Sequence, residues 1–176
     1  MRDILIKLKL IDFLTTNLPI NKTTFLQRLS LVTDEGNIGM FSDSFDAFSS
    51  SKNELKGHVN SDGFKLKRRK RFFDTNMNMA IAEGKLIEKN DQLTVETEIN
   101  GFNNFFILVY VFLIIVYSLI IFDVSGSDNN GEFIAIPFLI LHGILMFTMP
   151  YFMMRRSVKK LKYELDREFF YLTKNQ

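Results

Sequence analysis

From Phe105 to Phe122 the chain runs for eighteen residues without a charge. A second apolar run, Phe133–Met154, follows after ten more residues. This pair of runs constrains the chain more than anything else in it. An uncharged segment this long has no place on a water-facing surface. In a bilayer it must satisfy its own backbone, which a helix does. At about 1.5 Å per residue, eighteen residues reach roughly 27 Å, close to the ~30 Å of a hydrocarbon core. The expectation is a transmembrane helical hairpin with spans 105–122 and 133–154 and an external loop 123–132.

The remaining chain divides around that hairpin. Residues 1–104 hold 15 Lys/Arg and 14 Asp/Glu, a near-neutral balance with room for one small domain. The segment from Arg155 onward holds seven bases and three acids. There is no cysteine, so disulfides, thiolate metal sites and thiol chemistry are excluded. Abundant Phe, Asn and Lys fit an AT-rich bacterial coding sequence. Met1–Asn17 carries Lys7, Lys9 and Asp12 within its apolar stretch, so it does not read as a secretory signal.

Loop charges give the orientation. The connector Asp123–Glu132 has three acids and no base, whereas Arg155, Arg156, Lys159, Lys160 and Lys162 follow the second span at once. Basic flanks stay cytoplasmic. Both termini are therefore expected inside a bacterial inner membrane. The second span contains Pro137, His142, Gly143, Thr148 and Pro150. Pro150 is a candidate kink. His142 is the one ionisable group in either span, and Ser118 is a polar neighbour in the first. An intramembrane histidine is a candidate for ion or proton handling. No carboxylate accompanies it within the spans, so a neutral imidazole hydrogen-bonded between the helices is the favoured reading.

The soluble part reads as α+β. Asn21 is a good cap for a helix over 21–32, with Phe25, Leu26, Leu29 and Val32 on one face. Residues 4–13 fit either a strand or an amphipathic helix on the membrane face. Thr33–Ser51 reads as an acidic loop, and its Asp43 and Asp46 do not fit a calcium-binding register. Glu54–Val59, Phe64–Phe72, Met77–Glu88 and Leu93–Ile99 read as strands of a small antiparallel meander, with turns at Asn60–Gly63 and Asn90-Asp91. The C-terminal segment is an amphipathic helix with Val158, Leu161, Leu165, Phe169 and Leu172 along one stripe. Packing of that stripe on the meander is the simplest way to bury it, because a sheet of so few strands needs a cover.

Lys65, Lys67, Arg68, Arg69, Lys70 and Arg71 place six bases in seven residues. Together with Arg155, Arg156, Lys159 and Lys160 they form a candidate surface for anionic lipid, worth about 1 kcal/mol per base near a membrane. The competing reading is a solvated strand face, whose inward-facing bases need carboxylate partners such as Glu83, Glu96 or Glu98. No aromatic platform interrupts the run, which argues against nucleic acid. No metalloprotease, phosphate-loop or serine-hydrolase motif is present. The expectation is a non-enzymatic membrane protein without cofactor or metal. Its partners would be membrane lipid and either a partner protein or further copies of itself. An accessory or regulatory subunit leads, ahead of a lipid-handling module and a small oligomeric channel or toxin/immunity-type protein.

Phe64, the basic run, Asn76, Gly84 and the Thr-containing strand Leu93–Ile99 together resemble a group of small uncharacterised bacterial two-span membrane proteins. The group carries a basic strand, an Asn eight positions before a Gly, and a Thr-rich strand entering the hairpin. The likeness covers Gly57 to about Val111. Ala80 stands where the group has a proline, and the basic run is denser. The resemblance implies an integral membrane protein with a small cytosolic β-rich domain, and no particular activity.

Overall fold

A computed structural model describes residues 1–39, 51–70, 78–89, 92–125 and 135–174. Asp43, Asp46, Arg71, Asn76, the Asn90-Asp91 turn and most of the acidic connector lie outside the described residues. The chain divides into two compact units, Met1–Phe102 with Met154–Gln176, and Asn103–Met153.

The first unit is built on a six-stranded mixed sheet in the order β1-β6-β5-β4-β3-β2. The strands are β1 (Ile11–Leu18), β2 (Thr33–Glu35), β3 (Leu55–Asn60), β4 (Gly63–Arg68), β5 (Ile81–Lys89) and β6 (Gln92–Asn100). Strands β3 to β6 form the antiparallel meander expected from their alternating residues. Two further strands form the edges of the sheet. β1 adds antiparallel to β6, and the short β2 adds parallel to β3. Within the ambiguous N-terminal stretch a short helix gives way to a strand. Helix α1 (Arg2–Lys7) is followed by Lys9, which takes a left-handed φ of 56°, and β1 begins two residues later.

Helix α2 (Lys22–Leu31) starts where its cap predicts: the Asn21 side chain accepts from the Thr24 amide at 2.8 Å. Its Phe25 and Leu29 are fully buried. They meet one sheet face, the core face, which carries Leu18, Leu55, Phe64, Leu66, Ala82, Leu93, Val95 and Ile99. The rest of the cover comes from the C-terminal half of a helix that spans Ala135–Lys174, here α4. All five residues of its apolar stripe, Val158, Leu161, Leu165, Phe169 and Leu172, are buried in this cluster. The Phe169 ring stands edge-on to Phe25 at 5.5 Å and to Phe64 at 5.7 Å. Phe64 in turn lies over Gly84, its cross-strand neighbour. A Cβ at Gly84 would come within 2.0 Å of that ring, so the absence of a side chain makes room for it. Further ties hold the helix in place. The Ser157 hydroxyl accepts from the amides of Met79 and Ala80, both at 2.9 Å. Gly101 packs against Val158, and Arg28 donates to the Leu172 carbonyl.

The second unit pairs α3 (Phe105–Ser125) with the N-terminal half of α4. Both helices are long and apolar enough to cross a membrane. A core helix of a soluble protein would share that composition but would be covered by other residues. Here only 6% of each apolar window is buried, and Phe112, Phe122, Phe138 and Leu141 are all more than 60% exposed. Within the unit, the Tyr110 ring stacks on Phe147 at 6.0 Å and its hydroxyl donates to the Phe147 carbonyl at 3.2 Å. Tyr117 also packs against Phe147. Helix α4 runs through Pro150 without a break.

The Phe64–Gly84 contact gives a direct test. Gly84→Ala should destabilise the full chain by about 1–3 kcal/mol, the usual cost of overpacking a filled core. Denaturant unfolding in mild detergent, followed by circular dichroism, would measure it.

Candidate functional site

The basic run spans both sheet faces and the end of β4. Phe64, Leu66 and Arg68 point to the core face, and Lys65 and Lys67 to the other. Lys65, exposed on the outer face, pairs with Glu83 directly across on β5. Lys67 is only 2% exposed and lies opposite the equally buried Lys56 on β3. Arg68 reaches the C-terminal helix, with its Nε 2.9 Å from Glu164 and its Nη1 donating to Asn78 Oδ1 at 3.2 Å. Arg69 pairs with Asp34 of β2 at 2.8 Å. Lys70 is half-buried, and Arg71 is outside the described residues. The second basic group is arranged differently. Arg155, Arg156 and Lys159 are exposed on α4 just past its apolar half, and Lys160 is half-buried.

In the sequence Glu164 reads as a partner for Lys160 one turn back on the polar face of the helix; its pairing with Arg68 comes from tertiary packing. It is nearly buried, and loss of water pushes its carboxyl above the usual carboxylate range. Arg68, Lys160 and Arg167 pull it back down without cancelling that effect, and Glu54 adds to the rise.

Two surfaces of the first unit have the shape of binding sites. The outer sheet face carries a concavity of about 740 Å³ lined by Arg2, His58, Lys65 and Lys85 and by Asp62, Glu83, Glu96 and Glu98. Much of that charge is internally paired, as in Arg2–Glu98 at 2.7 Å and Lys65–Glu83. The second surface is the free edge of β1. Gly101 N donates to Leu10 O at 2.8 Å, which sets the alternation: even-numbered positions of β1 bond to β6. Ile11, Phe13, Thr15 and Asn17 therefore turn their backbone groups to the open edge, where Asp12 Oδ1 caps the Phe13 amide at 2.8 Å. Beside this edge lies a groove of about 530 Å³ between Thr16–Pro19 and α4. Tyr163 and Phe170 line it and are 68% and 53% exposed. The helix thus carries an aromatic ledge past the last strand.

In the second unit, His142 Nδ1 lies 2.5 Å from the Tyr117 hydroxyl of α3, and the imidazole stacks on Phe138. This is the interhelical hydrogen bond favoured for it. Ser118 donates to its own helix at the Ile114 carbonyl, 2.7 Å away. Gly143 gives Tyr117 its space, since a Cβ there would sit 3.2 Å from the ring. Among the described residues no group of three or more His, Cys, Asp or Glu is placed to hold a metal ion.

No family model, curated protein or solved structure matches this chain.

The Glu164 carboxyl predicts a pH signature. Because its folded-state pKa is raised, its contribution to stability is complete below the ordinary value of 4.5 and is lost as pH rises through the folded-state value. Unfolding of wild type and Glu164→Gln compared across that window should show wild type losing stability relative to the variant as pH increases.

Proposed function

We propose that this chain is a non-enzymatic accessory or regulatory protein of a bacterial inner membrane. Its hairpin spans the bilayer, and its α+β module binds a partner protein on the cytoplasmic side. The observation that carries the binding reading is the open edge of β1. Eight residues of edge strand, without proline or lysine, form a ready template for another strand. The ledge of Tyr163 and Phe170 gives an incoming strand an apolar surface to cover. Strand addition uses these two elements together: main-chain bonds supply affinity, and pockets for alternate side chains supply specificity. The orientation rests on the exposed bases Arg155, Arg156 and Lys159, set against the acidic connector.

Thr15→Pro tests this reading. It removes an edge-facing amide at a position where edge strands tolerate proline. Affinity purification of the full chain in mild detergent should recover a stoichiometric partner with wild type and lose it with Thr15→Pro, at unchanged melting temperature. Recovery of the chain alone in several mild detergents would count against the proposal.

A lipid-contacting role is the second reading, favoured by the same exposed trio of bases just past the apolar half of α4. At about 1 kcal/mol per base, three could anchor anionic headgroups. Native mass spectrometry of the chain from mixed anionic and zwitterionic nanodiscs should show retained anionic lipid. The triple change Arg155→Gln, Arg156→Gln, Lys159→Gln should abolish that preference.

A further inference from the structure

We propose that Tyr117 and His142 form an intramembrane docking site for a second copy of this chain. The inference rests on the hairpin lying in a bilayer. In hydrocarbon every polar group needs a partner, and an unmet one costs several kcal/mol. Tyr110, Ser118 and Thr148 close on backbone carbonyls within the hairpin. The Tyr117–His142 pair does not close. If the tyrosine donates to Nδ1, the pair keeps an N–H at Nε2 and a lone pair on the phenol oxygen. If Nδ1 donates instead, the pair keeps the phenol O–H and a lone pair at Nε2. In either tautomer one donor and one acceptor are left over, one on each residue. Among the described residues neither has a further partner. His142 is exposed and Tyr117 half-buried, so the leftover groups are within reach of the hairpin's surface.

A site with one spare donor and one spare acceptor is complementary to itself. Two copies related by a two-fold axis satisfy both, with His142 of each bonding Tyr117 of the other in a closed ring of four side chains. This is the isologous contact that two-fold symmetry requires. A lipid tail offers nothing to either group.

The chain lacks cysteine, so Lys174→Cys carries a single fluorophore for energy transfer between copies in lipid vesicles. Wild type should show transfer that rises with protein-to-lipid ratio. Tyr117→Phe and His142→Leu should each weaken association roughly ten- to a hundredfold, for the two interhelical hydrogen bonds lost per dimer. Ser118→Ala should leave it unchanged. If Tyr117→Phe disturbs the hairpin, judged by helical content, His142→Leu carries the test alone, since leucine suits a lipid-facing position. Wild type that stays monomeric at all ratios, or dimers indifferent to His142→Leu, would overturn the site. Release of the chain from membranes by alkaline carbonate would overturn the bilayer reading itself, and this site with it.

Discussion

The contact between the second half of α4 and the core face of the sheet is the one on which the sheet-bearing unit depends. Five apolar side chains enter that interface. At roughly 1.5–3 kcal/mol for each large apolar side chain buried, they contribute on the order of 10 kcal/mol before entropy is counted. That is comparable to the whole net stability of an ordinary domain. Helix α2 covers its own share through Phe25 and Leu29, but Phe169 joins the layers by touching both Phe25 and Phe64. The backbone of Gly84 lies beneath Phe64, and the Ser157 hydroxyl secures the strand entry at Met79 and Ala80. Sheet, α2 and α4 therefore form a single packing problem with one solution.

Much of this was written in the sequence because it follows from period. Leu93, Val95, Thr97 and Ile99 alternate, and the strand they predict is β6. The stripe from Val158 to Leu172 repeats at three and four residues, and the helix it predicts buries it. The Asn21 cap and the Asn60–Gly63 turn are local chemistry that three or four residues decide. β1 and β2 were harder. Thr33–Glu35 is three residues long, and its strand character comes wholly from lying beside β3. Ile4–Phe13 carries two periods at once because a helix and a strand meet inside it.

The charged residues were the least legible, and for a physical reason. A run of six bases looks like a patch only if its members share a surface. Strand geometry sends neighbours to opposite faces, and tertiary packing then chooses their partners. Lys65 found Glu83 across the sheet, which register alone allows. Arg68 found Glu164, ninety-six residues away, and Arg69 found Asp34 on a strand that sequence did not foresee. The candidate sites follow the same rule. The β1 edge exists because, among the described residues, β1 has a single neighbour in the sheet, and the Tyr117–His142 pair because two helices turn those residues to each other. Neither is a motif.

The sheet-bearing unit is discontinuous along the chain, and this bears on how it is made. Its sheet is complete at Asn100, but Val158 to Leu172 are translated only after both apolar helices. At the usual ~5–20 residues per second, the sheet waits about 4–14 s for the residues that cover it. Through that interval the ribosome carries a half-built domain with its hydrophobic face open. Its completion is tied to passage of the second span out of the ribosome. The order of synthesis thus acts as a clock: the module cannot finish folding before both apolar helices have been synthesised.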